Sequence, residues 1–176
     1  MTSGEDQTAE TVLFSKEIIA ARVSALAREI ATAPVRPEIA APVLVGAFVF
    51  AADLMRALSA HGLDLATEML WLRAYGVGFT PGAVNVLHAP SDAVRGKNIL
   101  LIDGVLDSGV TVARAKSLLM EKGAAHVALA VAVTKRNAAR NFEADYSAFQ
   151  ASEEFLYGYG MDYSGAARGL PDIRVK

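Results

Sequence analysis

Apolar positions along this chain recur in two periods, and the two alternate. Ile19, Val23, Leu26, Ala27 and Ile30 lie at helical spacing, which predicts a helix capped by Ser15 and running to about Ala33, where Pro34 and Pro37 end it. Ile39–Leu44 reads as a short strand, with Pro42 expected at its end because proline cannot donate to a ladder. A helix over Phe48–Ser59 comes next, closed by Gly62. Thr67–Ala74 is predicted as the next strand, Gly76–Gly82 as a loop around Phe79-Thr80-Pro81, and Ala83–His88 as a strand returning beside its predecessor. Asn98–Ile102 is a purely apolar strand, Val112–Lys122 a helix stopped by Gly123, and His126–Thr134 another apolar strand.

Strands that are apolar without alternation, separated by helices, imply an α/β fold: a parallel twisted sheet flanked by helices on both faces. Ligands of such sheets bind beyond the carboxyl ends of the strands, which directs attention to the residues just after Ile102 and Thr134.

Composition narrows the class without changing this picture. The 176 residues suffice for one core, and 53% hydrophobic with 20% charged residues is a globular balance. A net charge of −2 gives no general attraction to nucleic acid or anionic membrane, so neither is an expected partner and an RNA-binding regulator is disfavoured. With no cysteine, disulfides and thiolate metal sites are excluded, and His61, His88 and His126 form no ligand pattern. Residues 1–11 are polar and acidic, a loose tail without the features of a signal peptide. The longest apolar stretch, Ala40–Ala52, is too short to span a bilayer, so a cytoplasmic protein is expected. The tyrosines, Trp71 and the methionines are assigned to packing.

The chemistry concentrates in Asp103-Gly104-Val105-Leu106-Asp107-Ser108-Gly109-Val110-Thr111, between the apolar strand and the helix. Small residues and hydroxyls there let backbone N–H groups converge on a phosphate at a helix N-terminus. Gly104 to Thr111 meets the nucleotide-triphosphatase loop pattern except that Val110 replaces its lysine, and Asp107 adds a carboxylate facing a polyanion. A triphosphatase is therefore disfavoured.

The same run closely resembles the phosphoribosyl-diphosphate motif of type I phosphoribosyltransferases. Phe155-Leu-Tyr-Gly158-Tyr159-Gly160-Met161-Asp162-Tyr163 with Arg168-Gly-Leu-Pro171 resembles the C-terminal signature of the hypoxanthine-guanine members. Lys135-Arg136 and the stretch Leu44–Leu54 match as well.

The resemblance implies one domain over residues 12–176, with a core at about 38–150 and a small hood from the N- and C-terminal segments, the base-binding part at about 151–176. It also implies purine salvage: magnesium-dependent transfer of a phosphoribosyl group from phosphoribosyl diphosphate to a 6-oxopurine, hypoxanthine or guanine, by a homodimer or homotetramer. Carried over by position, Asp107 would be the acid/base near N7 of the purine. Asp103, Gly104, Asp107, Ser108, Gly109, Val110 and Thr111 would hold ribose and 5-phosphate. Leu44, Val45, Gly46 and Arg168 would bind pyrophosphate. Lys135 would donate to the 6-oxo group, Phe155 would stack on the ring, and Leu156 and Asp162 would meet the base. Asp103 and Asp162 would ligate magnesium, and the Tyr75–Ala83 loop, entered from Ala74, would be the lid.

Three positions depart from the family pattern. Gly104 stands where a second acidic residue is usual, Val45 where lysine or a polar residue is common, and Ala74 where serine precedes the lid tyrosine. They thin out the ribose and pyrophosphate side while sparing the base side. A weakly or non-catalytic homologue that binds nucleotide as a sensor or regulator, and a phosphoribosyltransferase for another base, stand as alternatives.

Overall fold

A computed structural model describes residues 11–74, 84–136 and 142–176. Its centre is a seven-stranded sheet ordered β5-β4-β2-β6-β7-β8, with the two-residue β3 paired to β2. These strands are β2 (Ile39–Leu44), β3 (Ala66–Thr67), β4 (Leu70–Ala74), β5 (Val84–His88), β6 (Asn98–Leu106), β7 (His126–Lys135) and β8 (Tyr146–Ala151). All neighbours are parallel except β4 and β5, which form an antiparallel pair. Helices α1 (Lys16–Ala31) and α2 (Phe48–Ala60) cover one face, where Leu26, Ile30, Phe50 and Leu54 bury against Ala40, Leu100 and Ile102. Helix α3 (Val110–Glu121) covers the other, with Val112, Ala115 and Leu119 against Ala41, Val43, Leu101 and Leu129. Because β6 and β7 meet helices on both faces, they read as unbroken apolar runs.

A separate three-stranded antiparallel sheet joins the chain's ends, in the order β1 (Thr11–Phe14), β10 (Ile173–Val175), β9 (Leu156–Tyr157). Its position corresponds to the expected hood. Phe14 stacks on Phe149 of β8, with ring centroids 4.0 Å apart. Thr11, expected in the tail, is the first residue of β1.

Several elements differ from the sequence expectation. Strand β6 continues to Leu106, so Asp103 and Gly104 lie on a strand rather than in a loop, and α3 begins at Val110 rather than Val112. The predicted strand over Thr67–Ala74 is two strands, broken at Glu68–Met69. That break accounts for Pro42, which sits inside β2 and not at its end. Ile39 and Ala40 pair with β3, and Val43 and Leu44 with β4. Pro42 falls between these ladders, where no donor is required of it. β8 and the short strands of the second sheet were not anticipated.

The sheet order matters for function. From β2 the chain proceeds outward to β4 and β5, whereas β6 begins the progression to β7 and β8 on β2's other side. Connections thus diverge between β2 and β6, opening a crevice at their carboxyl ends. The residues after Leu44, Leu106 and Thr134 therefore lie side by side at one edge of the sheet.

Candidate active site

Strand β6 delivers Asp103 half-buried and then turns sharply into α3. The turn depends on Gly109, which caps α3 at φ 79°, a left-handed conformation in which a Cβ would be strained. No side chain caps this helix, and its first turn holds no acidic residue. Its leading backbone N–H groups therefore have no intrahelical acceptor, and together with the helix dipole they favour an anion. Asp107 and Ser108 are exposed on the turn, and Thr111 sits in the first turn of the helix.

At the end of β7, Lys135 reaches across to the turn. Its Nζ donates to Asp107 Oδ2 at 3.1 Å, with the lysine side chain 13% exposed and the aspartate 51%. Parallel pairing of β6 with β7 creates this meeting, since Leu106 and Thr134 are register partners. Solvent screens the carboxylate, so the pair adds little to the stability of the fold.

Across the crevice, the loop from Leu44 to Ala47 joins β2 to α2 and contains a cis peptide between Leu44 and Val45. The Gly46 carbonyl oxygen packs against two glycines. A Cβ on Gly104 would stand 2.9 Å from it, and one on Gly160 would stand 2.6 Å away. Gly160 also has φ +100°, a second reason for glycine there. At Gly104 the carboxylate of the usual pattern is thus replaced by close backbone packing.

The segment after β9 supplies a further wall. Arg168 donates to Asp162 Oδ1 at 2.6 Å and to the Gly160 carbonyl at 2.8 Å, while the Gly165 amide donates to Asp162 Oδ2 at 2.9 Å. The Tyr159 hydroxyl donates to Asp53 Oδ2 of α2 at 2.8 Å, tying this segment to the helix behind the Leu44–Ala47 loop. Phe155 remains 50% exposed and presents its ring edgewise to Tyr163, centroids 5.9 Å apart.

Two cavities open on this crevice. One, of about 300 Å³, is bounded by Leu44, Val45, Gly46, Arg73, Thr111 and Arg168, among others. The second, of about 280 Å³, is bounded by Gly104, Val105, Phe155, Leu156, Met161 and Arg168, among others. Gly46, Asp103, Asp162 and Arg168 line both. Asp103 thus stands at the junction. Loss of solvation pushes its carboxyl up to about 7, with the Gly104 amide opposing.

The structure gathers Leu44, Val45, Gly46, Asp103, Gly104, Thr111, Phe155, Leu156, Asp162 and Arg168 around the two cavities. Asp107, Ser108, Gly109, Val110 and Lys135 line neither and form the adjoining rim at the ends of β6 and β7. Ala74 ends β4; Tyr75 and the rest of the expected lid lie outside the described residues. Trp71 and Met161, assigned to packing, prove to line cavities, and Arg73 and Val105 were missed. Position within β4 could have suggested Trp71 and Arg73, which alternate with buried Leu70 and Leu72.

The phosphoribosyl transferase domain family matches residues 11–164. The chain belongs to the type I phosphoribosyltransferase family. Among phosphoribosyltransferases it is 31% identical, over 92% of each chain, to a hypoxanthine-guanine phosphoribosyltransferase of Aquifex aeolicus. It is 34% identical to the Leishmania donovani enzyme of that name over 76% of this chain and 64% of the relative. A solved structure of the Trypanosoma cruzi hypoxanthine phosphoribosyltransferase in complex with its product IMP superposes with a TM-score of 0.85 at 28% identity, covering 99% and 97% of the two chains. Another from that organism, concerned with the C-terminal region, oligomeric state and activity, gives a TM-score of 0.86 at 31% identity, covering 98% and 93%.

Proposed function

We propose that this chain is a purine-salvage enzyme that transfers the 5-phosphoribosyl group of phosphoribosyl diphosphate to hypoxanthine or guanine, yielding IMP or GMP and pyrophosphate. The observation that carries this reading is the pair of cavities meeting at Asp103, Asp162 and Arg168, with an uncapped helix N-terminus and the Asp107–Lys135 pair beside them. A base, a ribose monophosphate and a pyrophosphate each require a different chemistry, and each finds a matching wall.

In this reading the amides at Ser108–Thr111 hold the 5-phosphate against the positive end of α3. The ribose lies over Asp103. The base enters the second cavity, where Phe155 offers a ring face and Val105 and Met161 apolar contact. Lys135 donates to the 6-oxo group and fixes the base for attack. N9 then bonds to C1 of the ribose while the C1–oxygen bond to pyrophosphate breaks. The proton leaving the base at N7 passes to the Asp107 carboxylate. The departing pyrophosphate is received by Arg168 and the Leu44–Gly46 backbone.

Magnesium fits the residues present. No group of three or more acidic or histidine ligands occurs among the described residues. Asp103 and Asp162 nevertheless face both cavities, and magnesium is usually held by one or two carboxylates together with substrate phosphates. When bound there it would neutralise charge developing on the leaving pyrophosphate.

The test is a spectrophotometric assay of hypoxanthine, guanine, xanthine and adenine with phosphoribosyl diphosphate and magnesium. Turnover of hypoxanthine and guanine with adenine rejected is expected, because a 6-amino group would turn donors toward the Lys135 ammonium, itself only a donor. Comparable use of adenine would overturn the assignment. Gly104 favours a second reading, a weakly catalytic nucleotide-binding homologue, since the usual ribose-side carboxylate has given way to packing. IMP binding without turnover of any base would identify it.

As to assembly and place, we infer a homodimer or homotetramer in the cytoplasm. The Trypanosoma cruzi relative whose structure concerns oligomeric state supports self-association, which light scattering would measure. No helix among the described residues is long and apolar enough to cross a membrane.

A further inference from the structure

We propose that Arg73 is a binding residue for the pyrophosphate moiety, acting beside Arg168; this rests on the phosphoribosyltransferase reading. Arg73 belongs to β4, whose Leu70 and Trp71 are the register partners of Val43 and Leu44. It therefore stands beyond the last residue of β2, alongside the Leu44–Ala47 loop. Side chains alternate along a strand. Leu70 and Leu72 bury in the cluster beneath α3, which places Arg73 on the α2 face, where that loop enters its helix. It lines the same cavity as Leu44, Val45, Gly46 and Arg168.

Charge balance in that cavity points to the same role. Its walls carry two carboxylates, Asp103 and Asp162, and two guanidiniums, Arg73 and Arg168. Arg168 is already engaged by Asp162 and the Gly160 carbonyl. Val45 contributes no charge, and α2 begins without a side-chain cap or an acidic residue in its first turn. Arg73 has no hydrogen bond or ion pair through its side chain with any of the described residues, so its donor fork is available to the cavity. A guanidinium meets phosphate oxygens in paired parallel hydrogen bonds, which an ammonium cannot reproduce. A multiply charged pyrophosphate entering between two carboxylates requires such a cation.

Calorimetric titration with inorganic pyrophosphate, in buffer containing magnesium chloride, and separately with IMP, tests the proposal. Wild type, Arg73→Gln, Arg73→Lys and Arg168→Gln are compared. Arg73→Gln is expected to weaken pyrophosphate roughly 10- to 100-fold, the loss of one charge-assisted contact. Arg73→Lys should fall between, and IMP affinity should stay within about twofold, since Ser108, Gly109 and Val110, which would hold its phosphate, do not line the cavity of Arg73. Pyrophosphate binding by Arg73→Gln equal to wild type, with Arg168→Gln impaired, would overturn the role of Arg73 and leave the enzymatic reading intact. Equal weakening of IMP and pyrophosphate would also overturn it, as general disruption. A wild-type protein that binds neither ligand would overturn both readings.

Discussion

Replacing Gly104 by aspartate restores the carboxylate that the family pattern has at this position, yet the structure predicts that the change weakens substrate binding. The added Cβ would lie 2.9 Å from the Gly46 carbonyl oxygen, 3.4 Å from its carbon and 3.7 Å from Met161 Cγ. The Met161 side chain can move; the carbonyl is backbone, and Gly160 also packs close against it. Relief must therefore come from the Leu44–Ala47 loop or from strand β6. Overpacking of this kind costs about 1–3 kcal/mol. Expressed in a loop that binds ligand, the same range is roughly a 5- to 150-fold rise in dissociation constant. Calorimetric titration with phosphoribosyl diphosphate and magnesium measures it, with Gly104→Ala as the control that adds a Cβ and no charge. Both variants should bind more weakly than wild type, and the alanine variant should show most of the loss. Tighter binding by Gly104→Asp at unchanged thermal stability would refute the packing argument and make the missing carboxylate the dominant effect.

The same geometry sets other outcomes. Asp107→Asn keeps shape but removes the proton acceptor, so turnover should fall about 10²–10⁴-fold with IMP binding retained in calorimetry; wild-type turnover would exclude the acid/base role. Gly158→Ala sets a Cβ 2.2 Å from the Asp172 carbonyl oxygen at φ +87°, so urea denaturation should show a loss of about 3 kcal/mol or more, and a loss below about 1 kcal/mol would contradict the packing of β9 against β10. Asp103 has a carboxyl at about 7 in the folded chain against about 3.9 unfolded. The folded state therefore holds the extra proton between these values, and this contribution to stability, complete below about pH 4, is lost as pH rises through 7. Thermal melts of the ligand-free protein from pH 4.5 to 8 should show that decline, and Asp103→Asn should flatten it; identical profiles would place the group in a more solvated setting.

Much of the architecture was legible because it is written in local periodicity. Ile19, Val23, Leu26 and Ile30 announce a helix face whatever lies beneath them, and the unbroken apolar runs Ile99–Ile102 and Val127–Val133 require strands covered on both sides. The residue types near Asp107 and Phe155 likewise carry their chemistry wherever the chain places them. Boundaries were less legible, since Asp103-Gly104 reads locally as a turn, and only pairing of Asp103 and Val105 with Val131 and Val133 of β7 holds it extended. Strands β1, β9 and β10 are too short to show a period; β1 and β10 exist because the two ends of the chain meet, and β9 because β10 folds back onto it. The break between β3 and β4 that accommodates Pro42 is a property of two strands, not of one.

The site divides in the same way. Sequence alone determined which groups were on offer: a carboxylate at 107, a lysine at 135, an arginine at 168 and a glycine at 109 with its freedom of φ. Tertiary structure decided which of them meet. Lys135 faces Asp107 because β6 and β7 run parallel in register, and the Asp103 carboxyl is pushed up because packing strips away part of its water. Glycine is needed at 104 because a carbonyl from a distant loop lies against it. Contact, solvation and steric limit are relations between segments far apart in the chain, and they come into being only when the sheet brings those segments together.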